Sequence, residues 1–122
     1  MLISASDPVA AALGSALDGL ALRQRVIANN IANMDTPGFI ASTVDFEGSL
    51  RSALADGTMT SREMADVSPA VASSTATPGA DGNNVDLGTE TLNAMQSTFR
   101  YQLLSRAVGD RAALVTTAIG GM

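Results

Sequence analysis

A chain of 122 residues and 12.4 kDa has room for one domain of ordinary size. Its apolar fraction is 46%, yet aromatics supply only 3%, Trp is absent and 21 residues are Ala, which favours helices packed closely through small side chains over a thick core. Zero Cys and zero His exclude disulfides, Cys/His zinc centres and thiol or imidazole nucleophiles, and a net charge of -5, with seven Arg, no Lys and 12 acidic residues, makes nucleic acid and anionic lipid poor partners.

The chain opens without a positively charged stretch, and Asp7-Pro8 arrives before any long apolar run; nowhere do about 18 uninterrupted apolar residues occur. Neither a cleaved signal peptide nor direct membrane insertion is expected. Residues 7–33 read as a helix. Asp7 suits the N-cap and Pro8 the first helical position, where its missing N–H costs nothing. Leu13, Leu17, Leu20, Gln24, Ile27 and Ile31 follow at alternating spacings of four and three, the pattern of a coiled-coil seam with one polar interruption. Gly14 and Gly19 each disfavour an isolated helix by about 1 kcal/mol relative to Ala, so the segment needs a packing partner.

Residues 34–85 form a turn-rich middle. Asp35-Thr36-Pro37-Gly38 predicts a turn in which Pro37 pre-sets φ and Gly38 supplies the positive φ of a type II turn. Phe46, Leu50 and Leu54 recur every fourth residue and suit a short helix, whereas Thr58 to Ala80, rich in Ser, Thr, Ala and Pro, reads as a partly disordered loop. Asp81-Gly82-Asn83-Asn84 is a turn cluster. Residues 86–120 then predict a second long helix with Asp86 as N-cap and an apolar stripe of Leu92, Met95, Phe99, Leu103, Ala107 and Leu114. The expected fold is mainly α: a single domain, 1–122, in which two long terminal amphipathic helices with coiled-coil-like pairing flank the middle. Their stripes exceed what a small monomer can cover, so they are expected to pair with each other and with neighbouring copies.

Candidate chemistry is sparse. Asp81, Asn83 and Asp86 with Gly82 miss the spacing of an oxygen-rich calcium loop and lack its closing Glu; a turn followed by a helix cap explains all four. Asp45 with Glu47, and Glu63 with Asp66, lie in segments that do not look able to bury a carboxyl group, and read as solvated surface residues rather than acid–base pairs. No G-x-S-x-G, S-x-x-K or glycine-rich phosphate loop occurs. No catalytic residue, cofactor or metal is expected.

The densest constellation runs from Asn29 to Phe39. One reading is helix exit: Asn33 tolerates a left-handed C-cap, Pro37 forbids continuation and Gly38 turns the chain. The other adds that three asparagine amides within about one helical turn are able to bond backbone groups of a neighbouring chain. At Asn30-Ile31-Ala32-Asn33-Met34-Asp35-Thr36-Pro37-Gly38-Phe39 the sequence resembles the flagellar basal-body rod family, whose N-terminal helix ends in Asn-Ile-Ala-Asn, two variable positions, Thr-Pro-Gly and an aromatic. Asp81-Gly82-Asn83-Asn84-Val85-Asp86-Leu87, with Tyr101-Gln102 and Ala118-Ile119-Gly120, looks like the branch that forms the proximal rod. The resemblance covers about Ala10 to Gly48 and Asp81 to Gly121; Gly88 departs from it, standing where the family carries a charged helix former.

The resemblance implies a structural, non-enzymatic rod subunit that crosses the periplasm as part of the basal body and is exported by the flagellar type III apparatus without cleavage. It implies, as partners, copies of itself, other flagellar rod proteins, the basal ring or its adaptor, and the export apparatus. Asn30, Ile31, Asn33, Thr36, Pro37, Gly38 and Phe39 would then set the helix corner, with Leu13, Leu17, Leu20 and Ile27 of the first helix and Leu92, Met95, Phe99 and Leu103 of the second packing in assembly. The rival reading is a helical adaptor or export chaperone that binds a partner helix along one exposed stripe.

Overall fold

The computed structural model describes residues 8–56, 62–63 and 66–120. The expected cap Asp7, the terminal Gly121 and part of the 58–80 segment lie outside the described residues. Helix α1 spans Pro8–Ala32, strand β1 Ser42–Asp45, helix α2 Glu47–Asp56, strand β2 Ala70–Ser73 and helix α3 Leu87–Gly120. The chain is mainly helical, with the two long helices at its ends.

Each boundary has a local cause. Helix α1 ends where the Asn33 amide donates to the Asn29 carbonyl at 2.8 Å and Thr36 N–H bonds the Asn33 carbonyl at 3.0 Å. Asn33 therefore caps with its side chain rather than by a left-handed backbone: no non-glycine residue among those described has positive φ, and the expectation for Asn33 is corrected on that point. Phe39 N–H closes on the Thr36 carbonyl at 3.2 Å with Gly38 at φ 75°, the geometry of a type II turn with Pro37 at its second position. Asp45 accepts from Gly48 N–H at 2.8 Å at the start of α2, and Asp86 accepts from Thr89 N–H at 3.1 Å at the start of α3.

The middle holds more order than its composition suggests. Strands β1 and β2 pair antiparallel with Ser42 opposite Ser73 and Asp45 opposite Ala70, and Ser74 N–H extends the ladder to the Ala41 carbonyl at 2.7 Å. Residues 70–73, expected to be loop, are thus strand. Ala-Val-Ala-Ser has no polar/apolar alternation because all four side chains are exposed, so the usual strand signal is missing.

Helices α1 and α3 lie against each other in opposite directions: Asn30 meets Glu90, Gln24 meets Thr98, and Leu13 and Ala16 share a groove with Leu104. On α1 the side turned inward carries Ala16, Leu20, Arg23, Ile27 and Asn30; on α3 it carries Glu90, Ala94, Ser97, Leu104 and Val108. Ala16, Leu20 and Phe46 form the core, with Leu50 and Leu104 against it. Burying Leu20 and Phe46 stabilises the fold by about 1.5–3 kcal/mol each.

Gly19 explains the closeness of this packing. A Cβ there would fall 2.5 Å from Cγ of Phe46, so the ring rests on the bare backbone of α1. The glycine that weakens the isolated helix is the one that admits its principal neighbour.

Candidate functional site

Three arrangements hold the functional candidates, and the first is the corner after α1. Asn30, 1% exposed, donates from Nδ2 to the Ser42 carbonyl at 2.8 Å and to Glu90 Oε1 at 3.2 Å, and accepts from Ser42 N–H at 3.0 Å. One amide thereby ties α1 to β1 and α3. Asn83 Nδ2 donates to the carbonyls of Asn33 and Thr36, both at 2.8 Å, while Asn84 Oδ1 accepts from Ala41 N–H at 2.7 Å and its Nδ2 donates to Ala76 O at 3.0 Å. Gly38 N–H bonds the Asp81 carbonyl at 2.9 Å, and Gly82, at φ 81°, lies so close that a Cβ on it would stand 3.2 Å from Gly38 Cα. Residues 81–84 clamp residues 33–41.

The amides of Asn30 and Asn33 are therefore spent on this chain's own backbone and side chains rather than offered to a neighbour. Ile31 and Phe39 are half-buried beside them, and Thr36, Pro37 and Gly38 are exposed at the tip. Asp81 Oδ1 accepts from Asn83 N–H at 3.1 Å, so the turn's oxygens serve backbone donors. Sequence reasoning reads 81–84 as a turn cluster within the stretch that resembles the rod family, not as a clamp; two consecutive asparagines, more amide than a tight turn requires, are the available signal for it.

The second arrangement joins α1, α2 and α3. Arg23 forks onto Glu47, with Nη1 to Oε2 at 2.7 Å, sends Nη2 to the Val44 carbonyl at 2.6 Å, and lies 4.8 Å from the Phe46 ring centroid. Arg100 reaches Glu47 Oε2 from α3 at 3.0 Å. The hydrogen-bonded Arg23 guanidinium holds the Glu47 carboxyl below its usual range; partial burial pushes the other way, and Arg100 adds to the lowering. Glu47 is thus no free surface carboxylate. It is the only group that touches both an α1 and an α3 arginine in the described hydrogen bonds.

The third is the outer side of α3. Leu92, Met95, Phe99 and Leu103 are 55%, 66%, 60% and 51% exposed. At 100° per residue they lie opposite Glu90, Ala94 and Ser97. The expectation that this stripe meets the stripe of α1 within the chain is corrected: α1 packs on the side with smaller and more polar residues, because the Asn30–Glu90 and Arg100–Glu47 bonds hold the rotation of α3 and Ala94 and Ser97 admit close approach. On α1, Leu20 and Ile27 are buried and Leu13 and Leu17 half-buried. No described helix is long and apolar enough to cross a membrane.

Comparison with known proteins bears on these features directly. The family described as flagella basal body rod protein matches residues 12–39, which are most of α1 with its corner. A flagellar basal body rod protein FlgB of Bacillus subtilis (strain 168) is 35% identical over 118 residues, spanning 89% of this chain and 92% of the relative. The chain belongs to the FlgB family of flagellar basal body rod proteins. FlgB of Cereibacter sphaeroides is 32% identical, covering 81% of this chain and 84% of the relative, and FlgB of Escherichia coli (strain K12) 35% identical, covering 72% and 75%. As a FlgB-family member the chain is a structural subunit of the flagellar basal-body rod, and the corner, the Glu47 joint and the outward stripe are features of that subunit.

Proposed function

We propose that this rod subunit builds the proximal, periplasmic rod by contacts made through α1 and α3, whose terminal segments pair in coiled-coil fashion with those of neighbours in the assembled shaft. The observation that carries the proposal is the outward stripe Leu92-Met95-Phe99-Leu103, a row of large apolar side chains that the chain's own fold leaves uncovered. Asn30, Ile31, Asn33, Thr36, Pro37, Gly38 and Phe39 fix the direction in which α1 leaves the shaft, and Leu13, Leu17, Leu20 and Ile27 stiffen it. Its partners are other rod proteins, further copies of itself and the basal ring or its adaptor, reached after passage through the flagellar export apparatus. The role is mechanical, with no catalysis.

Introducing Met95→Asp with Phe99→Asp tests this. The expected result is a chain with unchanged far-ultraviolet circular dichroism that fails to restore swimming to a strain lacking its own copy. Full swimming by the folded double variant would refute the proposal.

A further inference from the structure

Between α1, β1 and α3 lies a polar cleft of about 270 Å³. Its α3 wall is a row of Glu90, Asn93, Ser97 and Arg100, spaced three, four and three residues apart, so that all four line the cleft from one flank of the helix. Glu90 and Ser97 form the floor at 7% and 1% exposure, while Asn93, Gln96 and Arg100 stand exposed at the rim. We infer that this cleft binds a short zwitterion of dipeptide length, with its ammonium on Glu90 and its carboxylate on Arg100.

The floor holds two polar groups short of partners. Ser97 Oγ is buried with no hydrogen-bond partner among the described residues, an arrangement that costs stability and leaves the hydroxyl available to whatever enters the cleft. The Glu90 carboxylate is met by one neutral donor, Asn30 Nδ2 at 3.2 Å, and neither described ion pair reaches it. A carboxylate so buried is stabilised by a cation. The other end of the cleft has the opposite sign. Arg23 and Arg100 share the single carboxylate of Glu47, an excess of one positive charge, and Arg100, 53% exposed, commits Nη1 to it and keeps the rest of its donor fork. With two arginines and two glutamates the lining sums to zero, so a simple cation or anion gains at one end and is repelled at the other. A molecule carrying both charges gains at both.

Spacing selects the length of the ligand. Glu90 lies beside the Ser42 carbonyl, to which Asn30 joins it, and the arginine end lies beside the Val44 carbonyl, which accepts from Arg23 Nη2 at 2.6 Å. Two residues of strand separate those carbonyls by about 7 Å, and seven residues of helix separate Asn30 from Arg23 by about 10 Å. In an α-amino acid the nitrogen stands about 2.5 Å from the carboxyl carbon, too short a span to reach both ends; in an extended dipeptide the two stand about 6 Å apart, which brings each charge within hydrogen-bond reach of its partner. The peptide group between them then meets the carboxamides of Asn93 and Gln96 and the hydroxyl of Ser97, which supply donors and acceptors in the middle of the cleft. At about 30 Å³ per water the cleft has the volume of about nine waters, enough for a dipeptide with small side chains.

Amide chemical-shift titration of the full chain with glycylglycine tests this, with glycine, N-acetylglycylglycine and glycylglycinamide as controls. The expected result is saturable binding with a Kd on the order of 1 mM, weakened about tenfold by blocking either end and weaker still for glycine. The shifts should centre on residues 42–44 and 90–100, which line the cleft. Glu90→Gln should weaken glycylglycine about tenfold while leaving the N-acetylated form as it is, and Arg100→Gln should do the same with the amidated form exempt. Ser97→Ala, which removes a hydroxyl that has no partner in the described chain, should weaken binding severalfold while the urea midpoint stays level or rises. Circular dichroism checks that each variant is folded, and the comparison of free with blocked ligands on the unchanged chain needs no variant. No saturation up to about 20 mM glycylglycine, equal affinity for the free and blocked forms, or shifts centred away from the cleft would overturn the proposal.

Discussion

Asn30→Ala tests the corner most directly, because the structure assigns that amide three bonds and almost no solvent. Truncation leaves the N–H and C=O of Ser42 without their partner and removes a donor from the buried Glu90 carboxylate. Each lost bond is worth about 1 kcal/mol, and a buried group left unsatisfied costs about 1–3 kcal/mol; Ser42 is only half-buried, so water relieves part of this. The expected loss is about 2–4 kcal/mol, a large share of a stability on the order of 10 kcal/mol. With a urea m-value of about 1–3 kcal/mol/M the midpoint falls by roughly 1–2 M. Asn30→Asp keeps the volume but sets a carboxylate against Glu90, and costs at least as much at neutral pH. Asn33→Ala, which loses a bond at the helix exit, costs under about 1 kcal/mol. The assay is urea unfolding followed by circular dichroism. Midpoints for Asn30→Ala and Asn30→Asp within about 0.3 M of the parent would refute the bonding scheme.

The two interior glycines of α1 predict opposite signs. Gly14→Ala meets nothing within 4 Å and raises stability by up to about 1 kcal/mol, while Gly19→Ala drives Phe46 from its seat and lowers it by roughly 1–2 kcal/mol, both read from urea midpoints. Gly38→Val places a β-branched residue at φ 75° and reduces swimming more than a conservative change within residues 73–77, measured by complementation. The depressed Glu47 carboxyl contributes stability that is complete above the usual glutamate range and lost as pH falls through the folded-state value. The advantage of the parent over Glu47→Gln is therefore constant near neutrality and shrinks between about pH 5 and pH 3, as urea midpoints at each pH will show.

What is legible in the sequence is chemistry that acts over a few residues. Pro37-Gly38 implies its turn whatever surrounds it, Asp86 is a cap because the first N–H groups of a helix lack partners within it, and the apolar rows point to the helices Pro8–Ala32 and Leu87–Gly120. The rest depends on neighbours distant in the chain. Gly19 looks like a weak point until Phe46 is seen against it. Glu47 looks solvated until Arg23 and Arg100 close on it from two helices. Arg23 and Asn30 sit between apolar positions on α1, where a count of apolar spacings excludes them; they occupy the inward face because each makes three hydrogen bonds there. Apolar spacing alone thus places the α1 row one flank away from the face that packs, with Leu20 and Ile27 common to both.

The orientation of α3 follows from the same competition. Turning its outer stripe inward would bury on the order of 400 Å² of apolar surface that is now exposed, worth on the order of 10 kcal/mol before the removal of Leu104 from the core is set against it. It would also withdraw Glu90 from Asn30 and Arg100 from Glu47. Further along the helix, Arg106 and Asp110 continue the outer side beyond Leu103, both exposed as the chain now stands. Rolled inward, they would press on the part of α1 that holds Leu13 and Ala16, an apolar wall that offers neither charge a hydrogen-bond partner and would desolvate both. The polar corner thus holds α3 in a rotation that a purely hydrophobic chain would abandon, and the surface it withholds from the monomer is the surface available to a neighbour. Variants should separate accordingly: changes at Asn30 or Glu47 lower the stability of the chain, and changes at Met95 or Phe99 leave it standing but unassembled.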